Sequence, residues 1–185
     1  MSARRIYLVR HGEAAASWSE DPDPGLSALG QEQAGDAATS LEQALSDEFA
    51  LVSSPLLRAR ETAEPLAERL ASAVTIDEVF REVPSPVPLA QRQGWLRRFM
   101  SQQWHEQPDS LLDWRSAILD KLLHAETHTV VFTHFLVINA VVGSLLERPE
   151  VLCCWPANGS VTTLTLASGK LSLDTLGEQM ETRVN

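Results

Sequence analysis

Two short apolar runs, each stopping abruptly at a histidine, constrain this chain more than any other feature. Residues 5–9 (RIYLV) run into Arg10-His11-Gly12, and residues 129–133 (TVVFT) run into His134. Unbroken β-branched and apolar runs of this length read as buried strands. Each therefore predicts polar groups held at the carboxyl tip of a core strand.

The rest of the chain alternates between such runs and helical patterns. Residues 49–52 predict a second strand, followed by Ser53-Ser54-Pro55, and Val74–Ile76 a third. Ser27 is placed to cap a helix whose apolar stripe is Ala34, Ala37, Ala38, Leu41 and Leu45. A helix over 57–70 contains Pro65, which should cost a hydrogen bond or force a kink. The breaker Asp21-Pro22-Asp23-Pro24-Gly25 makes residues 14–25 a loop, and the prolines between 80 and 89 make that segment irregular. Helices are expected over 89–104, over 110–125 and directly after His134, and 161–166 with 171–176 form a hairpin. Neither an internal repeat nor a low-complexity tract is present. The alternation predicts one α/β domain over residues 1–185, a three-layer α/β/α sandwich with a mainly parallel central sheet.

Charge and composition exclude several function classes. A net charge of −10 with no long Lys/Arg run argues against coating nucleic acid. The longest apolar stretch, 135–146, is interrupted by Asn139, Gly143 and Ser144 and is too short to span a membrane. The amino terminus is too short in apolar residues for a secretory signal, and the adjacent Cys153 and Cys154 read as reduced thiols, so a cytoplasmic protein is expected. There is no Walker-type loop or dinucleotide fingerprint. His124 and His128 have helical spacing but no acidic third ligand, so no metal is expected there.

In parallel sheets ligands collect beyond the carboxyl ends of the strands. Arg10-His11, Ser53-Ser54 with Arg58, and Thr133-His134 all follow predicted strands and so converge on one edge. Forked guanidinium donors suit a phosphoryl group, whose negative charge is spread over several oxygens. A neutral imidazole can attack phosphorus while a second one donates to its oxygens. Taken singly, each residue has an ordinary explanation: Arg58 pairing with Glu61 or Glu64, His134 a satisfied core histidine, and Arg92, Arg97 and Arg98 a solvated helix face, the alternative for these three being contact with an extended anionic substrate. Trp95, Phe99 and Trp104, with Leu96 and Met100, fit either a cap over the site or a helix packed on the core.

Leu8-Val9-Arg10-His11-Gly12-Glu13 resembles the signature of the histidine phosphatase superfamily, the phosphoglycerate mutase-like branch 1. Further blocks resemble that family in its order: Leu26-Ser27-x-x-Gly30, Ser53-Ser54-Pro55-Leu56-x-Arg58-Ala59-x-x-Thr62-Ala63, Val130-Val131-Phe132-Thr133-His134 and Asn158-Gly159-Ser160-Val161. The resemblance implies a metal-independent, cofactor-free phosphatase of a small phosphorylated metabolite, with a phosphohistidine intermediate on His11. Arg10, Arg58 and His134 would hold the phosphoryl oxygens, Gly12 and Ser17 would contribute to substrate binding, and Glu82 would be the proton donor, with Glu13 its competitor. It excludes the acid phosphatase arrangement, because Phe135 stands where that branch has aspartate. Ala14, Phe135 and the run Val83-Pro84-Ser85-Pro86-Val87-Pro88 depart from the family pattern around the pocket mouth. Alternatives are an inactive member binding a phospho-ligand or protein, a phosphohistidine protein phosphatase, or a phosphoglycerate mutase. The expected partner is the substrate alone, with no nucleic acid and no membrane; a homodimer is left open.

Overall fold

Strand alternation sorts the core into two faces. In the computed structural model, which describes residues 3–16, 21–45 and 48–180, Ile6 and Leu8 of strand β1 (Arg4–Arg10) pack on one side of the sheet and Tyr7 and Val9 on the other. The first side is covered by α4 (Asp109–Leu123) through Ile118 and Leu122, and by α5 (Phe135–Leu145) through Val137, Ile138, Val141 and Val142. The second is covered by α1 (Ala28–Ala44) through Ala37, Ala38 and Leu41, and by α2 (Leu57–Arg69) through Ala63 and Leu66. The result is the three-layer α/β/α arrangement.

Six strands form the sheet in the order β3-β2-β4-β1-β5-β6. β2 (Phe49–Ser53), β3 (Val74–Ile76), β4 (His128–Thr133) and β1 pair in parallel, while β5 (Val161–Ala167) and β6 (Lys170–Thr175) are antiparallel. β4 lies between β1 and β2, and the register pairs Arg10 with Thr133 and Ser53 with Phe132. The three carboxyl tips are therefore level. His11 N–H donates to Thr133 O at 3.0 Å and Ser54 N–H to Phe132 O at 2.9 Å, extending the ladder one residue into the loops.

Ser27 caps α1 as expected, its hydroxyl accepting from Gly30 N–H at 3.0 Å. α2 runs through Pro65 to Arg69, its buried face outweighing the lost hydrogen bond. One expectation is corrected. The helix expected over 89–104 ends earlier, as α3 (Leu89–Met100), and Trp104–Glu106 forms a separate 3₁₀ turn. The break follows from Trp104 N–H donating to Pro149 O and Gln102 O accepting from Val151 N–H, which draw the chain onto the 149–151 loop. β3 is present, but at the sheet edge and largely exposed. No helix among the described residues is long and apolar enough to cross a membrane.

Candidate active site

The turn after β1 is held from three sides. Gly12 N–H donates to Thr62 Oγ1 on α2 at 3.0 Å, and Asn158 Nδ2 donates to His11 O at 3.0 Å. A Cβ on Gly12 would overlap the carbonyl of Gly30, and one on Gly30 would overlap that of Glu13, so this turn lies directly against the first turn of α1. Gly159, at φ +74°, turns its N–H onto Arg10 O at 3.0 Å.

His11 is buried, and its two ring nitrogens have different partners. Nδ1 lies 2.7 Å from Gly12 O. A carbonyl can only accept, so Nδ1 carries the proton and Nε2 keeps its lone pair. Arg58 Nε–H donates to that lone pair at 3.1 Å. Burial, then the guanidiniums of Arg58 and Arg10, push the His11 pKa down to about 3, so the ring is neutral near pH 7. Arg58 is 2% exposed and also faces Asp23 at 3.9 Å. Arg10 Nη1 donates to Pro156 O at 2.7 Å, and its guanidinium lies 5.1 Å from the centroid of the Phe135 ring. Burial lowers the Arg10 pKa to about 10, which leaves it cationic.

His134 is fully buried, its ring centroid 5.2 Å from that of His11. Its Nε2 shares a 2.6 Å hydrogen bond with Ser54 Oγ, and its Nδ1 is buried without a hydrogen-bond partner among the described residues. Burial, then His11 and Arg58, keep its pKa well below the usual value.

Glu82 is 4% exposed, so it is not a solvated loop carboxylate. Thr133 Oγ1 donates to Phe80 O at 2.8 Å and so ties the 3₁₀ turn Glu78–Phe80, which leads into Glu82, to the end of β4. Glu82 Oε1 accepts from Val83 N–H at 2.9 Å and Oε2 from Leu136 N–H at 3.4 Å, in the first turn of α5. Burial raises the carboxyl's pKa against the opposing pull of those hydrogen bonds and of Arg58.

Two adjoining cavities share Glu82 as a wall. One, of about 400 Å³, is bordered by Arg10 and His11 and continues outward over Phe135 and Trp155. The other, of about 310 Å³, is bordered by Arg58, Arg81 and Arg92.

Residues 6–179 match the histidine phosphatase superfamily (branch 1). The chain belongs to that family. Among curated proteins it is 40% identical to a glucosyl-3-phosphoglycerate phosphatase of Mycolicibacterium vanbaalenii over 86 residues, 44% of this chain and 37% of that one. It is also 35% identical to an uncharacterised Picosynechococcus protein over 109 residues, 58% of this chain and 62% of that one. The matches thus span less than two thirds of either relative's own length. Among solved structures, a mycobacterial glucosyl-3-phosphoglycerate phosphatase superposes with a TM-score of 0.75 at 24% identity, over 96% of this chain and 100% of that one, a likeness of fold.

The fold brings together Arg10, His11, Arg58, Glu82 and His134, all singled out from the sequence. Gly12 serves through its backbone, and Ser17 lies outside the described residues. Glu13 is exposed and accepts from Ser27 Oγ at 2.8 Å, at the rim of the larger cavity. Arg97 and Arg98 are solvated as expected, whereas Arg92 turns inward, lines the smaller cavity and donates to Val83 O at 3.3 Å. His128 Nδ1 accepts from Arg5 N–H at 2.9 Å, and His124 Nδ1 bonds Asp120 O at 2.7 Å, so both rings have local structural partners. Of the two roles open to the aromatic set, the aromatics take the second: Phe99 and Trp104 pack in the core with Trp95 against them, and only Leu96 and Met100 border the cavity. Sequence reasoning missed the supporting roles of Ser54, Thr62 and Asn158. All three lie inside the recognised blocks, but what they touch depends on contacts across the fold.

Proposed function

We propose that this protein is a phosphomonoester hydrolase that works through a phosphohistidine on His11 Nε2. The observation that carries this reading is the tautomer. Gly12 O holds the proton on Nδ1, leaving the Nε2 lone pair among Arg10, Arg58 and His134. In the first step Nε2 bonds to phosphorus while the P–O bond to the leaving group breaks, and Glu82 gives its proton to the departing oxygen. In the second, ionised Glu82 takes a proton from water as its oxygen attacks phosphorus. The N–P bond breaks, inorganic phosphate leaves, and both residues return to their starting states.

Arg10 and Arg58 supply the fixed positive charge that steadies the phosphoryl oxygens. With the Ser54 hydroxyl donating to Nε2 of His134, Nδ1 of that ring becomes a further donor to those oxygens. The second prerequisite, a carboxyl pushed toward its protonated form, follows from the burial of Glu82. The named relative's substrate is also a small phosphorylated metabolite, which agrees with a cleft of this size.

Rapid-quench mixing with a radiolabelled phosphomonoester tests the reading. An acid-labile phosphoenzyme should form before product release and be absent from His11→Ala. Turnover by His11→Ala within about tenfold of the parent, only ~1.4 kcal/mol in barrier, would remove His11 as nucleophile. Tight ligand binding with no label would favour an inactive binding member of the family.

A further inference from the structure

The two cavities that meet at Glu82 differ in chemistry, and only the larger has His11 in its lining. His11 and Arg10 line the larger lobe, whose outer walls are Leu96, Met100, Phe135, Trp155 and Met180. We propose that the substrate's leaving group is apolar, an alkyl or aryl group seated against Phe135 and Trp155. The protein is then a hydrolase of hydrophobic phosphomonoesters. The inference rests on the phosphatase reading above and deepens it.

Direction comes first. In an in-line transfer the leaving oxygen departs on the side of phosphorus away from Nε2. As the Nε2–P bond forms and the P–O bond breaks, the proton of Glu82 passes to that oxygen. Glu82 lines both cavities but His11 only the larger, so the released alcohol is placed over the outer walls of the larger lobe.

Those walls are built and held. The Phe135 ring packs 5.6 Å from Trp155, and the Arg10 guanidinium lies 5.1 Å from its centroid, so the aromatic wall and a phosphoryl-binding cation are one unit. Arg10 Nη1 also contacts Met180 Sδ at 3.3 Å and Pro156 O at 2.7 Å, anchoring the far side of the lobe. Leu96 and Met100 stand one turn apart on α3 and face the same space. Trp155 is 40% exposed, an apolar surface left against water unless a ligand covers it.

The rim of the lobe does not favour a second anionic group. Asn158 Nδ2 is engaged with His11 O, and Glu13 at the rim accepts from Ser27 Oγ while presenting a carboxylate that would repel a second anionic group. Leu96, Met100, Phe135, Leu136 and Met180 offer hydroxyls leaving water no side-chain partner.

Ethyl and n-hexyl phosphate test this, because their alkoxides are equally basic and differ only in apolar length. In the wild-type protein kcat/KM should be at least ~10-fold higher for hexyl phosphate, from partial burial of the added methylenes. In Trp155→Ala that ratio should fall toward one, and in Trp155→Phe, which keeps an aromatic wall, it should stay near the wild-type value. The ratio is the readout, so a general loss of activity in either variant cancels. A wild-type ratio of one or below, or an undiminished ratio in Trp155→Ala, overturns the apolar assignment and leaves the phosphatase standing. Absence of turnover with either ester and with p-nitrophenyl phosphate overturns the phosphatase reading, and this inference with it.

Discussion

His11 and Glu82 are complementary in their proton states, and the same cause, burial, produces both. It makes the imidazole neutral and pushes the carboxyl toward its neutral form, so attack and leaving-group protonation are available together. Glu82→Gln removes the transferable proton while keeping the side chain's size. Single-turnover phosphorylation from an alkyl phosphate should fall by ~10²–10⁴-fold, the usual worth of a general acid. Phosphorylation from p-nitrophenyl phosphate should fall far less, since that phenolate leaves unaided. The alkaline limb of the alkyl phosphate profile should also vanish, because rate is lost as pH rises through the pKa of a required acid. Equal slowing of both substrates would shift the role to Glu13.

At the level of elements, the position of His11, the proposed nucleophile, depends on how β1, α1 and α2 are clamped together. Thr62 Oγ1 accepts from Gly12 N–H and donates to Arg58 O at 2.6 Å, so one hydroxyl links the turn bearing the nucleophile to the helix bearing the arginine. Thr62→Val keeps the shape but strands a buried N–H. Urea unfolding should show a loss of about 1–3 kcal/mol. Because the change displaces His11 relative to Arg58, kcat should drop more than KM rises. A stability loss with unchanged kcat would make Thr62 a purely structural residue. Asn158 and the turn at Gly159 hold the same segment from the β5 side.

Across the whole molecule, the buried site couples catalysis to stability. An unfolded histidine titrates near ~6.5, whereas His11 in the fold is pushed down to about 3. The unfolded chain therefore binds more protons between those values, and stability falls as pH drops from the first toward the second. His134 shifts the same way. Glu82 is raised, so its contribution runs oppositely and costs stability as pH rises above the unfolded value near ~4.3. With two histidines against one carboxyl, the free energy of unfolding should fall as pH drops from about 6 to 5, and His11→Gln should make that fall shallower. An equal slope in the variant would show that His11 does not carry the effect. Activity should also survive EDTA, since arginines and His134 supply the positive charge a metal provides in other phosphatases. Loss on chelation with recovery on adding zinc or magnesium would count against the mechanism.

The sequence alone determined the order of elements, the two strands that end in histidines, the Ser27 cap and the five candidate site residues that the fold brings together. All of these are local: an apolar run, a capping hydroxyl or a motif spacing needs no knowledge of distant neighbours. Only the tertiary structure decided which His11 nitrogen keeps its lone pair, because that depends on a carbonyl and a guanidinium brought in from the β1 turn and α2. It also decided that Glu82 is buried, because the first turn of α5, fifty-four residues away, supplies one of its hydrogen bonds. The early end of α3 and the inward turn of Arg92 were likewise set by contacts with the 149–151 loop and with Val83. Burial and proton state are properties of an environment assembled from separate segments, and no single segment carries them.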